Sequence, residues 1–127
     1  MIFGIGTDIV KIQRMTDGIN RFGEKFVTRI LSDSEYLEFK NCNTVATASF
    51  LAKRFAAKEA MAKAMGTGFR NGLSMKHISV VNNDVGKPLL KLSGKAEAFV
   101  SEKCIASWHV SLADEKDYAI AYVILEM

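Results

Sequence analysis

Features that are scarce or absent in this sequence exclude several classes of protein. It has one proline, and 49% of its residues are hydrophobic, so the composition is not that of a disordered chain. Its longest unbroken apolar run, Tyr118 to Leu125, is far short of the ~20 residues that a membrane-spanning helix needs. The N-terminus lacks a basic region followed by an apolar core and a small-residue cleavage site, so we expect no signal peptide.

The sequence also has only two cysteines and a small net charge. Cys42 and Cys104 stand alone, without a CxxC pattern or a nearby histidine at ligand spacing, which favours two reduced cytosolic thiols over a disulfide. The net charge of +3 is too small to indicate nucleic-acid binding, although it permits a local basic surface for an acidic partner. We therefore predict a cytoplasmic protein of one domain, residues 1–127, that binds neither nucleic acid nor membrane.

One long helix dominates what is present. The stretch from Phe50 to Gly68, FLAKRFAAKEAMAKAMGTG, is rich in helix formers and predicts the second half of a helix that begins near Thr44. Gly66 stands where a left-handed C-terminal cap belongs. Glu59 and Lys63 are one turn apart, which places a carboxylate and an ammonium at the edge of a buried helix. A solvated surface ion pair is the simpler interpretation of these two residues.

The N-terminal stretch IFGIGTDIV predicts a strand, with Gly4, Gly6 and Asp8 on one face. Glycine inside a strand often marks a place where another backbone or a ligand comes close. Two glycines before Asp8 thus leave room beside its carboxylate. The alternative is a turn aspartate that follows a glycine-rich loop.

Basic residues recur after this strand, through a predicted helix from Lys11 to Asn20 and a helical piece from Glu24 to Leu31. Their offsets of 3, 7, 4 and 4 give them one face if the helical path is continuous. That face is either a solvated basic stripe or a docking surface for an anionic protein. The residues are Lys11, Arg14, Arg21, Lys25 and Arg29.

The rest of the chain predicts short helices and antiparallel strands. The pattern therefore indicates an α+β fold, with a mainly antiparallel sheet packed on the long helix. Tyr118 to Leu125 is apolar on both faces, as expected of a central, fully buried strand. The other predicted elements are a helix opened by a Ser32–Glu35 capping box, strands His77–Asn82, Pro88–Leu92 and Ser107–Leu112, and a helix Gly94–Ser101.

Two further motifs suggest chemistry only weakly. The glycine-rich segment GTGFRNG, residues 66–72, either lets backbone N–H groups approach a phosphate or is a helix cap plus a turn, and no Walker lysine follows it. His109 and Ser111 share a strand face but lie ~7 Å apart, too far for a direct bond, which excludes a serine hydrolase. His77 has no comparable context, so we assign it a structural role.

Four segments together resemble the short 4′-phosphopantetheinyl transferases, the holo-acyl-carrier-protein synthase family. They are GTDIV at 6–10, FLAKRFAAKEAMAKAMGTG at 50–68, GKP at 86–88 and WHVSLADE at 108–115. No single segment is specific, but the order runs from the first strand to the last. The resemblance implies transfer of 4′-phosphopantetheine from coenzyme A to a serine of an acyl carrier protein in fatty acid biosynthesis, with release of adenosine 3′,5′-bisphosphate.

The resemblance also implies roles for particular residues. Asp8 and Glu59 would hold Mg²⁺, the kind of hard cation that one or two carboxylates bind together with phosphate oxygens. Lys63 would stabilise charge on the phosphates, and Arg14, Arg21, Lys25 and Arg29 would receive the carrier protein. The expected contacts to coenzyme A are Arg54, Phe55, Lys63, Gly66, Lys87, Pro88 and His109. The family's short members are homotrimers with sites at subunit contacts, so a homotrimer is expected.

The chain departs from the wider superfamily at three points. Lys11 follows GTDIV where relatives commonly carry an acidic residue, Phe55 stands where longer relatives often have Trp, and no third acidic ligand follows Asp8. Water is therefore expected to fill the remaining metal positions. Glu59 and a metal-bound water are both candidates for the general base, and we favour the water.

Two other functions compete with this one on the residues alone. The first is a non-enzymatic trimeric domain that binds an acidic partner through the basic face between Lys11 and Arg29. The second is a different nucleotide-binding enzyme that uses GTGFRNG, against which the missing Walker lysine counts.

Overall fold

The structure, a computed structural model, describes residues 1–127. The chain begins with one strand and four helices: β1 Ile2–Lys11, α1 Ile12–Phe22, α2 Glu24–Ile30, α3 Asp33–Lys40 and α4 Thr47–Met65. A 3₁₀ turn, Met75–His77, then leads into β2 Ile78–Asn82, β3 Pro88–Leu92, α5 Gly94–Glu102, β4 Ser107–Asp114 and β5 Tyr118–Glu126. No helix in the chain combines the length and apolarity that a membrane span requires.

All strand pairs are antiparallel, and they form two sheets. The larger sheet has the order β1-β5-β4, and β2 pairs with β3 in the smaller one. Helix α4 packs on β1 and β5 and contributes most of its small residues to the core. The predicted α+β fold, with antiparallel strands on one long helix, is confirmed.

The long helix begins three residues later than predicted, at Thr47, and ends where the sequence indicated. Gly66 has φ 79°, in the left-handed region, and its N–H donates to the carbonyls of Ala62 and Lys63. The start of GTGFRNG is therefore a helix cap, the simpler of the two interpretations of this segment.

The two glycines of β1 allow α4 to lie directly against the strand. A Cβ atom on Gly6 would stand 1.9 Å from the carbonyl oxygen of Ala60, and one on Gly4 would stand 2.0 Å from that of Ala64. Both distances are shorter than van der Waals contact, so any side chain here would push the helix away. The close neighbour that the glycines predicted is thus the helix backbone.

One face of the larger sheet is bare. β5 is central, as predicted, and its alternate residues Ala119, Ala121 and Val123 are fully buried under α4. Ile120 and Tyr122, however, are each 42% exposed. The prediction of a fully buried strand is wrong for the single chain, because the other face of the sheet has no covering layer.

The basic residues do not lie on a continuous helix. Gly23, with φ 64°, separates α1 from α2, so the condition for one shared helical face is not met. Met15 and Val27 are the buried anchors of the two helices. All five basic residues remain exposed on the surface around them.

Candidate active site

Asp8, Glu59 and Lys63 come together where β1 crosses α4. Asp8 follows the two glycines on the strand face that meets the helix, and Lys63 reaches it from α4. The Lys63 Nζ donates to Asp8 Oδ1 at 3.0 Å and to the Thr7 carbonyl oxygen at 2.9 Å. The Lys63 side chain is 54% exposed and that of Asp8 is 16% exposed, so the pair opens onto solvent.

Glu59 lies one turn before Lys63, and the charges of Asp8 and Lys63 both affect its pKa. Partial burial raises the pKa of Glu59 above its ordinary value, and the negative charge of Asp8 raises it further. The positive charge of Lys63 acts in the opposite direction. The two carboxylates repel one another and Lys63 contacts only that of Asp8, so a further cation near both would lower their repulsion.

Arg14 of α1 stands at the edge of this site. Its guanidinium lies 5.7 Å from the centre of the Phe55 ring, one turn before Glu59 on α4. Its charge also lowers the pKa of Glu59 slightly. A residue predicted for carrier docking thus borders the predicted catalytic residues.

The two carboxylates, Asp8 and Glu59, fit a hard divalent cation whose other ligands come from water or from the substrate. Nowhere in the chain do three or more His, Cys, Asp or Glu side chains converge, so no complete protein cage exists. Mg²⁺ is commonly bound by only one or two carboxylates plus substrate phosphates and waters. Asp8 and Glu59 match that requirement.

Arg54, a predicted coenzyme A contact, is buried instead of open. It is 6% exposed, and its guanidinium lies 4.0 Å from the centre of the Phe50 ring. One terminal nitrogen, Nη2, donates to Glu38 and to Asn82, each at 3.3 Å. The buried Nε has no hydrogen-bond partner, and desolvation lowers the Arg54 pKa.

Lys87 and Pro88 lie on the β2–β3 hairpin beside Arg54. Pro88 pairs with Asn82 across the hairpin, and Asn82 is the residue that Arg54 contacts. Lys87 is exposed at the turn, where its N–H donates to the Asn83 side chain at 2.9 Å. These three predicted residues therefore form a second group.

His109 forms a third group, on the opposite face of the larger sheet. It lies on the outer face of β4, whereas Asp8 points from β1 towards α4. Its Nε2 is 2.6 Å from Glu126 Oε1 on β5. A single chain thus brings together Asp8, Glu59 and Lys63 but leaves His109 apart from them.

The sequence interpretation missed a second lysine–carboxylate pair on α4. Lys58 and Glu35 are both fully buried, and Lys58 Nζ donates to Glu35 Oε1 at 2.6 Å. The signal was available: Lys58 stands one heptad after Leu51 and one before Met65, both buried. A lysine on that line has to find a buried acceptor.

The remaining bonds of this pair tie four elements together. Lys58 also donates to the carbonyl oxygens of Met75 and Ile78, while Glu35 accepts from the backbone N–H of Ser32 and of Val80. The predicted capping box at Ser32 and Glu35 is present. Glu35 therefore serves both as a helix cap and as the partner of Lys58.

Comparison with known proteins places this geometry in a family. The model of the 4′-phosphopantetheinyl transferase superfamily matches residues 4–123. A holo-[acyl-carrier-protein] synthase of Photorhabdus laumondii is 50% identical over 125 residues, which are 98% of each chain. The match covers all four segments on which the sequence resemblance depends, and it favours a transferase over both competing functions.

Solved structures agree with this result. The crystal structure of holo-[acyl-carrier-protein] synthase from Neisseria meningitidis superposes with a TM-score of 0.93, at 40% identity over 100% of both chains. A holo-(acyl-carrier-protein) synthase from Bacillus anthracis, in complex with CoA (3′,5′-ADP), gives a TM-score of 0.84 at 37% identity, over 99% of this chain and 97% of that one. The chain therefore belongs to the 4′-phosphopantetheinyl transferase superfamily, as a relative of the holo-[acyl-carrier-protein] synthases.

Proposed function

We propose that this protein transfers 4′-phosphopantetheine from coenzyme A to a serine hydroxyl of an apo acyl carrier protein, with release of adenosine 3′,5′-bisphosphate. The observation that carries the proposal is the Asp8–Lys63 contact beside Glu59, in a chain whose relatives are holo-[acyl-carrier-protein] synthases. The B. anthracis relative with bound coenzyme A supports the choice of donor. The pathway that this reaction serves is fatty acid biosynthesis.

The reaction depends on Mg²⁺ in this proposal. Asp8 and Glu59 would hold the ion, which when bound would neutralise charge on the pyrophosphate of coenzyme A. Lys63 is close enough to Asp8 to share the same site, and its flexible, half-exposed side chain is suited to contact a phosphate oxygen. Two general bases are candidates. The raised pKa of Glu59 supports a proton acceptor at this position, and the other candidate, which we favour, is a water that the ion would hold.

The nucleotide end of coenzyme A is assigned to Arg54, Phe55, Gly66, Lys87, Pro88 and His109 by motif position. The separation of His109 from Asp8 within one chain supports a site completed by a second copy. Only Nη2 of Arg54 is used by Glu38 and Asn82, so the guanidinium keeps further donors, among them the unpaired Nε, which supports a contact to a phosphate oxygen.

The bare face of the larger sheet supports the homotrimer. Ile5 and Ile9 on β1 are 56% and 60% exposed, and they lie beside the exposed Ile120 and Tyr122 of β5. An apolar sheet face of this kind is typical of a surface that another chain covers. We propose that copies of this chain cover it, and that the active site lies where they meet.

Sedimentation equilibrium at micromolar concentration tests the assembly. Ile9→Glu should yield monomers, because it places an uncompensated carboxylate in the buried interface. Val85→Glu is the matched control, since Val85 is 87% exposed on the hairpin tip, away from the sheet face. A fully active monomeric wild type would overturn the trimer proposal.

The carrier protein is proposed to dock on α1 and α2 through Arg14, Arg21, Lys25 and Arg29. The exposed ring of Phe22 stacks on the half-buried ring of Phe26, with their centroids 6.4 Å apart, beside Lys25 and Arg29. A surface that combines basic and aromatic groups suits a partner that is acidic with some apolar residues. The position of Arg14 beside Phe55 would lead the docked serine towards Glu59.

Steady-state kinetics tests the docking surface. Arg21→Glu with Lys25→Glu should raise KM for the carrier, at a cost on the order of 1–3 kcal/mol, and leave KM for coenzyme A unchanged. Arg14 is left intact because it borders the active site. Lys103→Glu with Lys116→Glu reverses the same charge elsewhere. A carrier KM that ignores both the charge reversal and added salt would place the docking surface elsewhere.

Turnover itself is tested by incubating the protein with coenzyme A, Mg²⁺ and an apo carrier protein, then weighing the carrier. The carrier should gain the mass of phosphopantetheine only when metal is present. Asp8→Asn and Glu59→Gln should each abolish that gain without unfolding the protein, and Asp84→Asn on the hairpin should not. Wild-type activity in both site variants would show that the site is misassigned.

Cellular location and domain extent complete the proposal. Both cysteines are free thiols, which suits a reducing compartment, and we place the reaction in the cytoplasm. A cluster of 25 buried residues drawn from both sheets and the helices supports one transferase domain over residues 1–127.

A further inference from the structure

The outer end of the larger sheet carries a polar pair that the site assignments leave unexplained. His109 Nε2 and Glu126 Oε1 are 2.6 Å apart, with 53% and 44% of their side chains exposed. Ser107, directly opposite Glu126 on β4, donates to the same oxygen at 3.4 Å. The hydrogen bond to His109 lowers the pKa of Glu126, so the carboxylate is the charged member of the pair across neutral pH.

This contact decides which ring nitrogen of His109 is free. An ionised carboxylate only accepts hydrogen bonds, so Nε2 must carry a proton to bond to Glu126. Nδ1 is then the nitrogen left for a ligand.

We propose that Glu126 is a positioning residue for coenzyme A: it holds the His109 ring through Nε2–H and so directs Nδ1 towards the nucleotide end of coenzyme A. The inference rests on the proposed assignment of His109 to the nucleotide end of coenzyme A. Glu126 itself touches no phosphate, because two anions would repel. The other charged group close to Glu126 is the amino group of Met1 beside β1, and the sheet neighbours Ser107, Ser111 and Ile124 are uncharged.

A purely structural pair would behave differently. The two side chains are half-exposed, so as a surface ion pair they would contribute little to stability and nothing to substrate affinity. A positioning role instead predicts a rise in KM for coenzyme A when Glu126 loses its charge, and this rise should require His109.

The test compares the wild type with Glu126→Gln, which keeps the shape and an oxygen acceptor but removes the charge. The KM for coenzyme A should rise about fivefold, the difference between a charged and a neutral hydrogen bond, while kcat stays constant.

Three further variants give each outcome one meaning. Ser107→Ala keeps the carboxylate and should match the wild type. His109→Ala should raise KM, and adding Glu126→Gln to it should change nothing more. A KM in His109→Ala equal to that of the wild type would sink the assignment of His109 itself. A His109→Ala effect without any in Glu126→Gln, or a Glu126→Gln effect that persists without His109, would overturn the positioning role alone.

Discussion

Lys58 and Lys63 lie five residues apart on α4, and each contacts a carboxylate on another element. The two pairs differ in burial and in the number of hydrogen bonds they make. Lys58 and Glu35 are both 0% exposed, and the ammonium donates to three oxygens. Lys63 is 54% exposed and donates to one carboxylate oxygen of Asp8, which is itself partly open to solvent. The first pair has no capacity for a further ligand, whereas the second has.

The difference shows that the segment KEAMAK, residues 58–63 of α4, contains one structural lysine and one lysine at the candidate active site. Its first lysine is turned into the core, where α4 meets α3 and β2, and it anchors the helix. Its glutamate and second lysine are turned to the edge, beside Asp8. Burial with complete hydrogen bonding indicates structure, and half-burial with unsatisfied charge indicates a site for a ligand.

The largest expected effect comes from breaking the buried pair. Lys58→Met should lower the free energy of unfolding by about 3–5 kcal/mol, because it leaves the Glu35 carboxylate buried without its cation. Lys63→Met, the same substitution on the same helix, should change it by less than about 1 kcal/mol. Urea unfolding of both variants at one protein concentration measures the contrast.

The pairing itself is tested by a second substitution. Glu35→Gln in the Lys58→Met background removes the unpaired charge and keeps one of the two oxygens that accept separately from the backbone N–H groups of Ser32 and Val80, so it should recover part of the lost stability. Equal costs for Lys58→Met and Lys63→Met would contradict the division between a structural and a functional pair.

A smaller loss of stability should follow from separating β1 and α4, the two elements that carry Asp8, Glu59 and Lys63. Gly6→Ala places a Cβ atom against the Ala60 carbonyl, so α4 must move away from β1. We expect a cost of about 1–3 kcal/mol in stability. Turnover should fall about a hundredfold, because Asp8 and Glu59 lie on the separated elements.

Thr7→Ser is the matched control, since it changes the neighbouring residue without adding an atom that faces α4. Unfolding and transferase assays on the two variants separate packing from chemistry. If Gly6→Ala lost stability and kept full turnover, the spacing of strand and helix would not define the site.

The sequence interpretation succeeded where local patterns determine the structure. Helix α4, its Gly66 cap and the face of β1 that carries Asp8 all follow from periodicity and glycine placement. The sequence did not predict the contact between Asp8 and Lys63, which the structure shows where β1 crosses α4. The residue roles came from family resemblance, and they remain predictions.

The failures share one cause, which is that local patterns do not show what lies across an interface. Residues 118–125 are apolar on both faces, yet only one face is covered within the chain. The burial of Arg54 against Glu38 and Asn82, both far away in sequence, was also not predicted, and its role as a coenzyme A contact stays a prediction. The Lys58–Glu35 pair joins α4 to α3, and an interpretation that treated each helix alone did not find it.

Removing the cation from the exposed pair should favour metal binding. Lys63 occupies Asp8 Oδ1, so an incoming divalent ion must compete with it or bind beside a positive charge. Lys63→Met should therefore bind Mn²⁺ about two- to fivefold more tightly in the absence of coenzyme A, which corresponds to less than about 1 kcal/mol. Electron paramagnetic resonance of free Mn²⁺ gives the affinity directly.

Lys53→Met controls for the loss of a charge from α4, because Lys53 faces Asp114 at 3.8 Å and not Asp8. It should bind Mn²⁺ as the wild type does. Weaker binding in Lys63→Met would mean that the lysine helps to assemble the metal site, contrary to the competition expected from its position.

The smallest effect concerns Glu59 and pH. Its pKa is raised by burial first and by Asp8 second, so the folded state binds the Glu59 proton more tightly than the unfolded state does. Ionisation of Glu59 therefore opposes folding. That penalty is absent below its ordinary pKa, grows as pH rises towards the raised pKa, and is complete above the raised pKa.

Glu59→Gln should consequently be more stable than the wild type at neutral pH without metal, by less than about 1 kcal/mol for a carboxylate that is only half-buried. The advantage should vanish near about pH 3.5, where Glu59 is protonated in both the folded and the unfolded states. Urea unfolding in EDTA at the two pH values measures it, with Glu97→Gln on the exposed face of α5 as the control. A stability difference that is the same at both pH values would show that Glu59 affects folding through packing and not through its charge.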